Sequence, residues 1–83
     1  MTHHFTDLFI DREHQFSLGV DQETGWHYLS TPITKDGAHH LAAYEAYYRI
    51  DAEEFARFRT DPASAKDFID VCRRNGNRHR LIA

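Results

Sequence analysis

Seven histidines in 83 residues are the first feature of this chain that could do chemistry. Neutral imidazole binds zinc, copper or nickel and changes charge near physiological pH. Their spacing argues against a metal centre, because His3-His4 and His39-His40 are adjacent pairs. Neighbours on a strand point to opposite faces, so neither pair chelates as two histidines four apart on a helix do. We therefore expect no metal and no cofactor. Acid–base chemistry would draw on His27, His39, His40, Asp36 and Glu45, which fall along one β-rich stretch. Such chemistry needs groups converging in a pocket, and closeness in sequence is not convergence. The chain has no nucleophile elbow, phosphate loop or paired-carboxylate spacing. A small enzyme working from the histidine-rich β edge is kept as an alternative, and the expectation is a protein that is not an enzyme.

Cys72 is the only cysteine, which rules out an internal disulfide and a cysteine-based zinc cluster within one chain. It falls at a helical core spacing and is expected to be buried. A reactive thiol would need an exposed, electropositive setting, for which Arg73 and Arg74 are the only nearby support.

The net charge of −3 conceals an asymmetry. Residues 1–71 carry 13 acidic and 6 basic side chains, a net of −7, whereas residues 72–83 hold four arginines and no acid, a net of +4. An acidic body disfavours nucleic acid, whose phosphates need a positive surface, and favours a basic protein partner. Arg73, Arg74, Arg78 and Arg80 would carry any phosphate contacts. Arginines just past a helix end also serve as partners of the helix dipole and as a solvated tail.

Aromatic residues on a solvent face suit a protein interface. In Tyr44–Ile50 the side chains of Tyr44, Ala46, Tyr48 and Ile50 share one face, and those of Glu45, Tyr47 and Arg49 the other. Tyr47 thus stands opposite the core-facing set, with Trp26 or His27 as a neighbour from the preceding strand. The candidate partner-binding residues are Trp26, His27, Glu45, Tyr47 and Arg49. A second layer over that face, supplied by the N-terminal segment, is the competing reading of Tyr47.

These residues must be held by a small frame, since 83 residues hold one hydrophobic core. Phe5–Ile10 is β-prone but alternates poorly, as a short edge strand would. Phe16, Leu18 and Val20 alternate with Ser17 and Gly19 in a half-buried strand. Asp21–Gly25 supplies a turn leading into Trp26–Thr31. Pro32 implies an edge or a bulge, Lys35-Asp36-Gly37 a turn, and His39–Ala43 either loop or strand.

Asp51 and Glu54 form a capping box, with Ile50 and Phe55 as a hydrophobic staple, and this starts a helix at Ala52 that ends at Thr60. Phe55 and Phe58 would face the sheet. Asp61-Pro62 starts a second helix running to about Arg74, with Ala65, Phe68, Ile69 and Cys72 as its buried stripe and Asn75-Gly76 as a left-handed end. Leu81 and Ile82 add a terminal strand or simply pack. Strands first and helices last give an α+β class: a three- to four-stranded antiparallel meander with two short C-terminal helices on one face.

The segments Phe16–Val20, Gly25–Ile33 and Tyr44–Ile50 resemble small bacterial proteins of unassigned function. Some similar α+β proteins are immunity partners of bacterial toxins. The resemblance spans roughly residues 16–74, and what it shares is structural, so it transfers no catalytic residue. It implies a bacterial protein-binding module that inhibits a toxin or effector by covering its surface. The alternative is a small nucleic-acid-binding regulator using the arginine cluster. Homodimerisation through an exposed sheet face or edge fits equally well. No apolar run reaches membrane-span length, and no signal-peptide stretch follows Met1, so a cytoplasmic location is expected.

Overall fold

The computed structural model describes residues 3–34, 43–74 and 76–83. Strands β1 (Phe5–Asp11), β2 (Phe16–Asp21), β3 (His27–Thr34) and β4 (Ala43–Ile50) form one antiparallel sheet in the order β1-β2-β3-β4. The helices α1 (Ala52–Thr60) and α2 (Lys66–Arg73) follow and pack on one face. The α+β meander expected from the sequence is the fold observed.

Register decides which residues meet the helices. Leu18, Leu29 and Tyr48 stand in line across β2, β3 and β4, and all three are buried. Phe16, Leu18, Leu29 and Ile50 pack against Phe58, Ala65 and Ile69, while Ile33, Ala46 and Tyr48 pack against Cys72. Phe68 touches both groups. Each such large side chain contributes about 1.5–3 kcal/mol when fully buried. Tyr44 shares this face but lies at the far end of β4, beyond the helices' cover, and is half exposed.

The poor alternation in β1 has a cause. Between Asp7 and Phe9 the pairing with β2 slips by one residue, so that Asp7 faces Gly19 but Phe9 faces Leu18. A bulge reverses the in–out sense of a strand part-way along. Pro32 sits in β3 past the last β2 pair, Ser17–Ser30, where only β4 lies alongside. The proline rule therefore holds locally, although β3 is an interior strand.

The capping box of α1 is present. Asp51 Oδ1 accepts from the Glu54 amide at 2.7 Å, and Glu54 Oε1 accepts from the Asp51 amide at 3.0 Å. Phe58 is buried and Phe55 half-buried. The second helix departs from expectation at its start and ends at Arg73, close to the expected Arg74. It opens with a 3-10 turn, Pro62–Ala65, and Asp61 uses its carbonyl, not its carboxylate, to accept from the Ser64 amide and hydroxyl. Past α2, the Gly76 amide reaches back to Val71 O at 2.8 Å, as in a Schellman ending. Among the described residues the left-handed one here is Asn77, with φ 57°, and not Gly76. Asn75 lies outside the described residues.

The C-terminal segment takes the terminal-strand option in a minimal form. The Ile82 amide donates to Tyr47 O at 2.7 Å and Tyr47 donates to Ala83 O at 2.9 Å, beside an antiparallel bridge between Tyr48 and Leu81. The outer edge of β4 is covered at Tyr47 in this way.

Candidate binding surface

The sheet face away from the helices is organised by Asp21. Its carboxylate is fully buried and accepts from His3 Nδ1 at 2.6 Å, the His4 amide at 3.0 Å, the Thr24 hydroxyl at 2.8 Å and the Glu23 amide at 3.1 Å. Burial raises its pKa, but those donors outweigh the desolvation and hold the carboxyl well below its ordinary value. One side chain thereby shapes the β2–β3 turn, where Gly25 takes φ 77°, and ties the N-terminal segment down.

Phe5, positioned by that clamp, stacks on Tyr47 with ring centroids 3.8 Å apart and meets Tyr28 edge-on at 5.2 Å. Tyr28 is fully buried on this face, its hydroxyl donating to Asp7. Burial, and then the bond to Asp7, push its phenol far above the ordinary value. Tyr47 is raised too, by burial and by the charges of Asp7 and Glu45. The expected aromatic face therefore exists, but the N-terminal segment half-covers it, and Tyr47 is a packing residue as much as a surface one. The aromatic count and the alternation of β4 located Tyr47, with cover by the N-terminal segment as the competing reading; the sequence did not single out Phe5 as the residue that stacks on it, or His3 as the one that stacks on Phe5.

His27 is not on that face. It pairs with Ile50 in register, and its ring lies against Phe55 at 4.8 Å on the helix side. Trp26 precedes β3, and Arg49 lays its guanidinium 4.3 Å from the indole centroid. Such a pair presents a large amphipathic surface with the guanidinium's edge donors still available. Trp26, His27 and Arg49 line one shallow depression of about 480 Å³ at the end of the sheet, with Asp51, Glu54 and Arg80. Glu45 lies elsewhere, exposed at the opposite end of β4, beside a second hollow of about 350 Å³ that also holds Ile10 and Pro32. Three of the five candidate partner-binding residues thus converge, while Tyr47 and Glu45 extend along the open face.

The arginine cluster is dispersed. Arg80 Nη1 pairs with Glu54 Oε1 at 2.8 Å and donates to Arg49 O at 3.2 Å. Arg73 lines a hollow on another side with Glu13, His14 and Asp70, and Arg74 and Arg78 are exposed. The charge balancing Arg80 comes from the chain itself, which sequence order alone did not reveal.

No family model, no curated protein and no solved structure matches this chain.

Cys72 is fully buried, and burial raises its thiol pKa. The same packing, with the thiol beside its hydroxyl, pushes Tyr48 up to about 12. Among the described residues no three His, Cys, Asp or Glu side chains gather as metal ligands. His39, His40 and Asp36 lie outside the described residues. No described helix is long and apolar enough to cross a membrane.

Proposed function

We propose that this chain is a non-catalytic protein-binding module of the immunity type, occluding the surface of a basic toxin or effector. The observation that carries this reading is the layering. Two helices cover one sheet face, and the other presents Tyr47, Glu45 and the Trp26–Arg49 pair beside shallow hollows. A surface of aromatic and arginine anchors rimmed by carboxylates suits a protein partner. The carboxylates at the Trp26 depression favour this reading over acid–base catalysis, since Asp51 and Glu54 are both committed to the capping box. Arg80 paired with Glu54 disfavours a phosphate-binding tail. The toxin-immunity assignment and a bacterial, cytoplasmic setting rest on the sequence resemblance and composition.

The test is affinity capture from the native host at low and moderate salt, comparing wild type with Trp26→Ala, Glu45→Arg and, as a control, the exposed Val71→Ala. A basic protein retained by wild type and the control, weakened by salt and lost with Trp26→Ala, is the expected result. Nucleic acid co-purifying in its place, and lost with Arg74→Ala and Arg78→Ala, would overturn it.

A further inference from the structure

The two edges of the sheet are treated differently. Outside β4, the chain's own Leu81–Ala83 occupies the backbone groups of Tyr47. Among the described residues β1 has a ladder neighbour only in β2, and no described strand pairs with its outer row of amides and carbonyls. Strands in that position are usually blunted, because an open row pairs with any other strand. This one instead carries Leu8 and Ile10, 53% and 59% exposed, the two most exposed large apolar side chains of the described residues.

We infer that β1 is a self-association edge, pairing antiparallel with β1 of a second copy to make one eight-stranded sheet. The occupant follows from complementarity between the strand and Arg12, the first residue of the turn that follows it. A two-fold axis between the two Ile10 residues sets Ile10 against Ile10 on the open face, where its partner in register is Ser17. The same register brings Leu8 opposite Arg12 and so places each Arg12 guanidinium beside the other copy's Asp7. Arg12 is exposed and has no ion-pair partner among the described residues. Asp7 uses one oxygen for the Tyr28 hydroxyl, and among the described residues nothing bonds the other. Opposite charges across paired strands stabilise the pairing, as apolar neighbours do.

The two-fold pairing sets the limit of assembly. It joins like edges and uses up both copies of β1, so pairing ends at two copies and does not propagate into a filament. The bulge between Asp7 and Phe9 shortens the regular part of the edge, and so short a run with two apolar anchors buries less than the ~1,200 Å² of a stable interface. The dimer is accordingly a weak one. It leaves Trp26 and Arg49 free for the partner proposed above but shares Ile10 and Arg12 with the hollow beside Glu45; because self-association is read on the isolated chain, its failure is distinguishable from failure of that reading.

Sedimentation equilibrium from about 10 μM to about 1 mM, the range in which a small interface becomes populated, tests it on the intact chain. The mass should rise from 9.8 kDa towards twice that value. The Leu8→Lys/Ile10→Lys double variant should remain monomeric throughout, Arg12→Glu should raise the dissociation constant at least about tenfold, about one decade in affinity, and Val71→Lys should behave as wild type. Both double-variant sites are exposed; should that variant nonetheless unfold, amide exchange in the wild type still decides, with residues 8–12 gaining protection as concentration rises. A mass fixed at 9.8 kDa at the highest concentration would overturn the proposal and leave the edge to a strand of another protein. A dimer untouched by the double variant would also overturn it.

Discussion

Gly19 and Tyr28 are direct partners across β2 and β3, and the Tyr28 ring lies over the place where a Cβ on Gly19 would stand. The carbonyl of Thr6 crowds the same spot from the other side. The absent side chain is therefore what lets a tyrosine lie flat and fully buried on a face that has no helix over it.

From this follows the first prediction. Gly19→Ala sets a methyl group against a backbone carbonyl that cannot swing aside, and overpacking of this kind costs about 1–3 kcal/mol. Urea unfolding should show a loss in that range. Tyr28→Phe, which keeps the ring and removes the bond to Asp7, should cost about 1 kcal/mol.

The pH dependence is set by Asp21. Its folded-state pKa lies below the 3.8 of an unperturbed aspartate, so its contribution to stability is complete above that value and disappears as pH falls through the folded one. Asp11, lowered chiefly by the His14 amide against the opposing effect of burial, acts in the same direction. The urea midpoint should hold nearly constant between about pH 6 and pH 5 and decline below about pH 4. Asp21→Asn should be less stable at pH 6 and decline less steeply in acid, because the titrating carboxylate is gone. A variant whose acid limb matches wild type would exclude Asp21 as its source.

Much of this frame was legible because local rules and burial agree. Asp51 and Glu54 mark the start of α1 in any context, and alternation in β2 and β4 singles out Leu18, Ala46 and Tyr48 for the core. What escaped the sequence is non-local. The bulge in β1 erases the period by which a strand is recognised. Asp21 reads as an ordinary turn former until His3 is brought to it from 18 residues away. The candidate site was half legible for the same reason. Tyr47 and Arg49 follow from strand parity, whereas the stacking of Phe5 and the Arg80–Glu54 pair depend on where the two ends of the chain return.

Cys72 gives a simple check on the helix packing. A thiol with no exposed surface and a raised pKa is protected both from contact and from ionisation. An aromatic disulfide reagent at pH 8 should label the native protein only at its rate of opening, and rapidly in urea. Cys72→Ser should lower stability by about 1–3 kcal/mol, since it replaces a packed thiol by a more polar hydroxyl in a site with no exposed surface. Fast labelling of the native protein would mean that α2 does not pack on β4 as described.

The last prediction concerns the tail. Arg80 is held three ways: by Glu54 at 2.8 Å, by the Arg49 carbonyl at 3.2 Å and by the face of Phe68 at 5.3 Å. Two residues further on, Ile82 and Ala83 exchange backbone hydrogen bonds with Tyr47. An arginine so placed fixes the direction in which the chain leaves the 3-10 turn Arg78–Arg80 and approaches β4. Arg80→Ala should reduce global stability only modestly, by about 0.5–1 kcal/mol, because the ion pair is partly solvated. Its local effect should be larger. Hydrogen exchange at the Tyr47 amide, which depends on Ala83 for its acceptor, should speed up well beyond any change at Leu18 or Leu29, whose amides open only with the core. Arg80→Lys should recover part of the Tyr47 protection, through the charge on Glu54 but without the planar stack on Phe68. Equal changes at all three amides would show that Arg80 supports the whole fold and not the edge alone.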